Sequence, residues 1–247
     1  MDKILQITIG IFIFLLIGFI TVCCMNTYIE NEYLATLSGS YTYSTTITTD
    51  SPLSNITLFI PVPEDRAGNS PIISVFSAGT IDGMPPNWTS TLYYTGKSTV
   101  AKITAPLLMP PAQTTPETPF SVTLTINTSS KNHLETLDPA DKGVVYRPVQ
   151  ELMNVSCKTK VPVLTGSEHC NEYITSIYAD YLSSPNASVS ISSDLAGKNS
   201  WNIFGPHSNE YCVGIMVNLT GENHGWSKAK GVLSSGIGVY DEPAGQT

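Results

Sequence analysis

The chain has 247 residues, of which 41% are hydrophobic and only 13% charged, and it carries a net charge of −8. Its densest basic stretches are "KTK" (Lys158–Lys160) and "KAK" (Lys228–Lys230). That excludes a nucleic-acid binder, which needs a patch of cations to neutralise phosphates. Ser and Thr supply roughly a fifth of the residues, so hydroxyls rather than ions carry the solvent face, as in β-rich extracellular domains.

The stretch "ITIGIFIFLLIGFITVCC" (Ile7–Cys24) dominates the N-terminus. Counted from Ile4, the apolar run would be about 31 Å long as a helix, close to the roughly 30 Å hydrocarbon core of a bilayer. A signal-peptide core is shorter and ends in small residues, whereas this run ends Thr21-Val22-Cys23-Cys24. Val22 also stands where a lipid-attachment box wants a small residue. The reading is therefore a signal anchor: residues 1–3 a cytoplasmic tail, 4–24 the transmembrane helix, 25–37 a stalk that continues it. Lys3 precedes the run and Glu30 and Glu32 follow it, so the positive-inside rule puts everything after residue 24 outside the cell. The expected partner of this segment is the lipid bilayer.

Strand signals then repeat to the C-terminus. "NITLFIPV" and "SVTLTIN" alternate with a period of two, with Ile56, Leu58 and Ile60 or Val122, Leu124 and Ile126 on one face and polar residues on the other. Further strands are expected at Tyr41–Thr48, Ile72–Phe76, Thr89–Tyr94, Thr99–Thr104, Val144–Tyr146, Asn154–Val161, Ser188–Ser192, Tyr211–Leu219 and Gly231–Tyr240. "CNEYITSIYADYL" fits a helical face or a strand, and its wealth of Tyr, Ile and Thr favours the strand. "APLLMPPAQTTPETP" (Ala105–Pro119) reads as a loop because proline cannot donate to a ladder. "SSKNHLETLDPADKG" (Ser129–Gly143) reads as a loop with a helical turn. One face apolar and one hydroxylated points to an all-β ectodomain, an antiparallel β-sandwich. It is either one large sandwich or two β subdomains, 38–128 and 144–247, joined by the loop 129–143.

Glycosylation sequons stand at Asn55, Asn87, Asn127, Asn154, Asn186 and Asn218, against about three expected by chance from this composition. Beyond the anchor lie Cys157, Cys170 and Cys212. A disulfide between Cys157 and Cys170 is expected, closing a short loop with Pro162 and Gly166, and Cys212 in its apolar run reads as a buried thiol.

Catalytic signals are sparse. His133, His169, His207 and His224 show no metal-ligand spacing, no Gly-x-Ser-x-Gly elbow or phosphate loop occurs, and neither a metal nor another cofactor is expected. A thiol site from Cys212 with His207 or His224 is the nearest approach to a nucleophile. Aromatic residues carry more information. "NSWNIFGPHSNEY" and "GENHGWSKAKG" set Trp201, Phe204 and Trp226 beside His207, His224, Asn and Ser in turn-like surroundings. Rings flanked by hydrogen-bonding groups can form a platform for a sugar. The structural alternative is that these rings plug the ends of the sandwich.

The segments "YADY" (Tyr178–Tyr181), "NSWNIFG" (Asn199–Gly205), "SNEY" (Ser208–Tyr211), "HGW" (His224–Trp226) and "GVY" (Gly238–Tyr240) resemble a pattern in uncharacterised cell-surface proteins of methanogenic archaea, over roughly residues 157–240. That resemblance implies a membrane-anchored, extracellular placement and no activity. The sequence thus reads as a surface glycoprotein with a structural, adhesive or ligand-binding role, its partner a glycan or an envelope protein. An extracellular hydrolase of glycans or peptides is the alternative.

Overall fold

A computed structural model describes residues 3–96, 98–136, 138–157 and 169–239. Helix α1 (Lys3–Thr36) runs unbroken for 34 residues, about 51 Å at 1.5 Å per residue. It is long and apolar enough to cross a membrane, and its apolar stretch packs against nothing in the protein. The segment expected as a stalk is the last part of this helix.

After α1 the chain is mostly strand. In order come β1 (Ser38–Thr49), β2 (Leu53–Pro61), β3 (Pro63–Glu64), α2 (Ile73–Ala78), β4 (Thr89–Tyr94), β5 (Thr99–Leu108), β6 (Phe120–Ser130), α3 (Pro139–Lys142), β7 (Val145–Tyr146), β8 (Gln150–Val155), β9 (His169–Leu182), β10 (Ser188–Asn202), β11 (Pro206–Thr220) and β12 (Asn223–Val239). Ten of the strands form one antiparallel sheet in the order β4-β5-β2-β9-β12-β11-β10-β1-β6, with β8 also paired to β9. β2 and β8 share one edge of β9, β2 along Tyr178–Leu182 and β8 along Cys170–Ile174. The fold class is all-β and antiparallel, as read from the sequence. Its layers come from a single sheet that curls round one core, into which the described residues of 38–128 and 144–239 send interleaved strands. The two stretches therefore share a core instead of forming a subdomain each.

Alternation drives the curl. Tyr41, Tyr43, Thr45 and Ile47 of β1 and Val189, Ile191, Ser193 and Leu195 of β10 face inward, while their neighbours carry hydroxyls outward. Two tyrosines find room because glycine stands beneath them. Tyr173 lies opposite Gly231 and Tyr211 opposite Gly197 in the strand register. A Cβ at either glycine would meet the facing ring at 2.4 Å, which is inside van der Waals contact. Inside the curl, Tyr146 of the small β3–β7 ribbon meets Ser193 Oγ at 3.0 Å, and Ser193 in turn meets Thr45 Oγ1 at 2.9 Å. Thr45 donates to Tyr43 OH at 2.8 Å, so these four buried hydroxyls satisfy one another.

Three sequence expectations are corrected. Ile72–Phe76 belongs mainly to α2, whose Phe76 packs edge-on against Tyr43. The spacing Ile72–Phe76 suits one helical turn as well as two strand pleats, and five residues cannot separate the periods. α2 touches both β4 and β6, the two ends of the sheet, and so closes the curl. β5 continues through Pro106 to Leu108, into the stretch expected as a loop. The ladder passes from Ser54 opposite Leu107 to Ile56 opposite Ala105, so Pro106 falls where no donor is used. The turn-like surroundings expected for Trp201 and Trp226 are strands, the end of β10 and the start of β12. The ambiguous segment at Cys170–Leu182 is strand, as expected. Lys158–Val161 of the strand expected at Asn154–Val161, and Tyr240 of the last one, lie outside the described residues.

Two outcomes are expected. Gly197→Ala or Gly231→Ala should lower the unfolding free energy by about 1–3 kcal/mol, the usual cost of overpacking, measured by denaturant titration of the full chain in detergent. Asp194, on the outer side of β10, is pushed up to about 6 by burial, from an ordinary value of about 3.9. The folded state holds this proton more tightly than the unfolded one. The associated stability is full below about pH 3.9, falls as pH rises and is gone above about pH 6. Asp194→Asn should therefore raise the melting temperature at neutral pH, with the gain shrinking as the pH is lowered to about 4.

Candidate functional site

The outer face of the sheet carries two adjacent rungs of side chains across five neighbouring strands. Register sets Thr91, Lys102, Phe59, Tyr178 and Trp226 side by side on β4, β5, β2, β9 and β12. Two residues further along lie Thr89, Thr104, Thr57, Asp180 and His224 on the same strands. Because successive side chains alternate between faces, Leu58, Ile103 and Ala179 between them are buried in the core. The outward residues are fixed by that burial and not by any loop.

Rings on the first rung meet edge to face. Phe59 and Tyr178 have centroids 5.3 Å apart at 74°, and Tyr178 and Trp226 5.5 Å apart at 69°. Tyr93, one pleat along β4, adds a third contact to Phe59 at 6.0 Å and 71°. Such pairs contribute about 0.5–1.5 kcal/mol each beyond area burial. Lys102 Nζ lies 5.8 Å from the Phe59 ring and 5.9 Å from the Tyr93 ring, within cation–π range. Trp226 nevertheless stays 62% exposed and Tyr94 76%, an unusual state for large rings standing together. With Phe59, Tyr93, Lys102 and Tyr178 they line an open hollow of about 540 Å³.

The second rung is polar. His224 Nδ1 lies 2.7 Å from Asp180 Oδ1, and the Thr89 and Thr104 hydroxyls are 2.6 Å apart. Lys228 follows Trp226 on the same face of β12. Among the described residues neither Lys102 nor Lys228 has a carboxylate partner, whereas Lys230 pairs with Glu172 at 2.8 Å. Rings, hydroxyls, one carboxylate and two unpaired ammonium groups make a surface that can stack on a flat apolar ligand face and hydrogen-bond its rim. Glycoside hydrolysis by the usual route takes two carboxylates, and these rungs hold Asp180.

The five residues expected to form one platform are divided between the two opposite ends of β11. Trp226 and His224 belong to the rungs just described. Trp201, Phe204 and His207 sit at the β10–β11 hairpin, where they receive α1. Trp201 stacks on His207 at 5.8 Å and 9°, Tyr33 meets Trp201 at 5.7 Å, and Tyr28 meets Phe204 at 6.1 Å. Asn202 N–H donates to Thr36 Oγ1 at 2.9 Å, tying the helix end to the hairpin. Phe59, Tyr93, Lys102 and Tyr178 were missed by reading local aromatic clusters. The signal was present in the alternation of "NITLFIPV", which puts Phe59 on the solvent side with Asn55 and Thr57.

All six sequon asparagines are exposed. Asn55 has a left-handed backbone at an irregularity in the β2–β9 pairing, which turns it away from the ladder. Asn127 accepts a hydrogen bond from Thr42 Oγ1 at 2.9 Å. Cys157 and Cys170 are joined as expected. His169 lies at the start of β9, and no cluster of three metal-binding side chains occurs among the described residues.

Cys212 is buried, and burial, then the charges of Asp194 and Glu210, push its thiol up to about 12. A thiolate is the reactive form, so Cys212 is unsuited to nucleophilic work. In the folded protein at about pH 8 an alkylating reagent should leave Cys212 unmodified, and denaturation should expose it, as peptide mass mapping would record. No family model, no curated protein and no solved structure matches the chain.

Proposed function

We propose that this chain is a single-pass membrane protein whose β domain faces the cell exterior and retains carbohydrate on the Phe59–Tyr178–Trp226 rung. The observation that carries the reading is the outward alignment of these rings in register across three strands, Trp226 exposed and Phe59 and Tyr178 half-buried, beside a polar rung with hydroxyl, carboxylate and imidazole groups. A pyranose offers an apolar face to a ring and hydroxyls around its edge. From β5 to β12 the rung extends about 14 Å, three strand spacings, which suits an oligosaccharide better than a monosaccharide.

The unpaired Lys102 and Lys228 favour an acidic sugar, such as a uronate, over a neutral one. Both cations stand out in a chain of net charge −8. Support for the outside placement comes from the single lysine before the apolar run, the Cys157–Cys170 bridge, which suits an oxidising compartment, and six exposed sequons available for N-glycans. A binding role fits the rungs better than hydrolysis, since Asp180 has no second carboxylate beside it on them.

The test is retention of defined glycans by the full-length protein in nanodiscs. Uronate-containing oligosaccharides should bind, and Trp226→Ala with Tyr93→Ala should reduce binding at least tenfold while leaving the melting temperature within a few degrees. Lys102→Glu should weaken acidic glycans and spare neutral ones. Retention unchanged in the Trp226→Ala, Tyr93→Ala protein would sink the reading.

A further inference from the structure

We infer that the tip of the β10–β11 hairpin, Ile203-Phe204-Gly205, is a second membrane contact, with the Phe204 ring seated in the lipid headgroup layer that α1 leaves. The inference rests on reading α1 as a membrane span. The apolar run of residues 4–24 matches the roughly 30 Å hydrocarbon core, which puts Cys24 at the hydrocarbon boundary. Tyr28 is four residues further, about 6 Å along the helix axis. A headgroup layer is about 5–7 Å deep on each side, so Tyr28 lies within it. The Phe204 ring is 6.1 Å from the Tyr28 ring and so lies within about one headgroup-layer depth of it. Ile29 lines one hollow with Trp201, Ile203, Phe204 and His207.

Four further observations fit a lipid occupant. Phe204 is 77% exposed, the highest value among the large hydrophobic side chains of the described residues, although it lies beyond the apolar run. Its backbone is left-handed, φ 57°, and Gly205 follows at φ 147°; for a bulky ring such a conformation is costly and needs a reason. The tip is held firmly in this shape. Gly205 N–H donates to Asn202 Oδ1 at 3.2 Å, Ile203 N–H donates to Gly205 C=O at 3.1 Å, and His207 Nε2 lies 2.8 Å from Ile203 C=O. Residues 202–206 carry no formal charge, so no ion has to be desolvated on entry. Glu30 and Glu32 of α1 rise from the same level, which favours a zwitterionic surface over an anionic one. Trp201 meets Tyr33, nine residues past Cys24 and about 13 Å along the axis, and so stands clear of the lipid.

Depth-resolved quenching of the full-length protein in phosphatidylcholine nanodiscs tests this. In a Trp201→Phe, Trp226→Phe background, Trp88 is the buried reference. Phe204→Trp adds a reporter at the tip, and Phe14→Trp, in a separate protein, adds one in the span. A headgroup-attached nitroxide should quench the added Phe204→Trp emission by half or more, and a nitroxide deep in the acyl chain should quench it much less. The deep label should quench the Phe14→Trp emission. Quenching of the span reporter with no headgroup quenching at the tip would overturn the hairpin contact alone, as would stronger quenching at the tip by the deep label. If neither reporter is quenched, the membrane reading of α1 falls as well.

Discussion

A sheet that curls round its own core must place large side chains on the concave face without forcing neighbouring strands apart. Here that constraint is met by pairing rings with glycines across strands, Tyr173 over Gly231 and Tyr211 over Gly197. Each ring occupies the volume of two side chains, so the inner surface fills without crowding. The same tyrosines bring hydroxyls inward, and Tyr211 spends its own on the carbonyl of Val144 at 2.8 Å. That bond draws the connecting segment before β7 into the curl, where Tyr146 and Ser193 complete the closure. Filling the concave face thus leaves the convex face free to carry other chemistry.

What the convex face carries depends on the parity of the strands. A one-residue slip of β9 against β2 would bury Tyr178 and expose Ile177. The core contacts of Leu58, Ile103, Ile177 and Ala179 forbid that slip. The outer rungs therefore inherit their precision from the core. The backbone of the outward rings is fixed because it is shared with fully buried neighbours, which cuts the ordering cost that a ligand would otherwise meet.

Much of this was legible in the sequence. Period-two alternation located most strands, the apolar run located α1, and loop length with cysteine spacing located the Cys157–Cys170 bridge. Other features were not legible, for physical reasons. Ile72–Phe76 is too short for its period to distinguish helix from strand. Pro106 argued against a strand, but the ladder happens to need no donor there. The rungs were hidden because Phe59, Lys102, Tyr178 and Trp226 are far apart in the chain and are joined only by register, which no local pattern encodes. Trp201 and Trp226 look alike in sequence, each with His, Gly and Asn within six residues, yet one receives a helix and the other faces solvent.

Only Leu37 separates α1 from β1, and Asn202 fastens the helix end to the hairpin. The domain has no swivel. On the proposed membrane-anchored reading, every copy would hold its aromatic rungs at the same height and at a fixed tilt to its own helix. A long polymer lying parallel to the cell surface could then be gripped by several copies at once, each later engagement being intramolecular and so favoured by effective concentration. Rigidity near the anchor would then, if the rungs bind carbohydrate as proposed, convert a weak individual grip into collective adhesion.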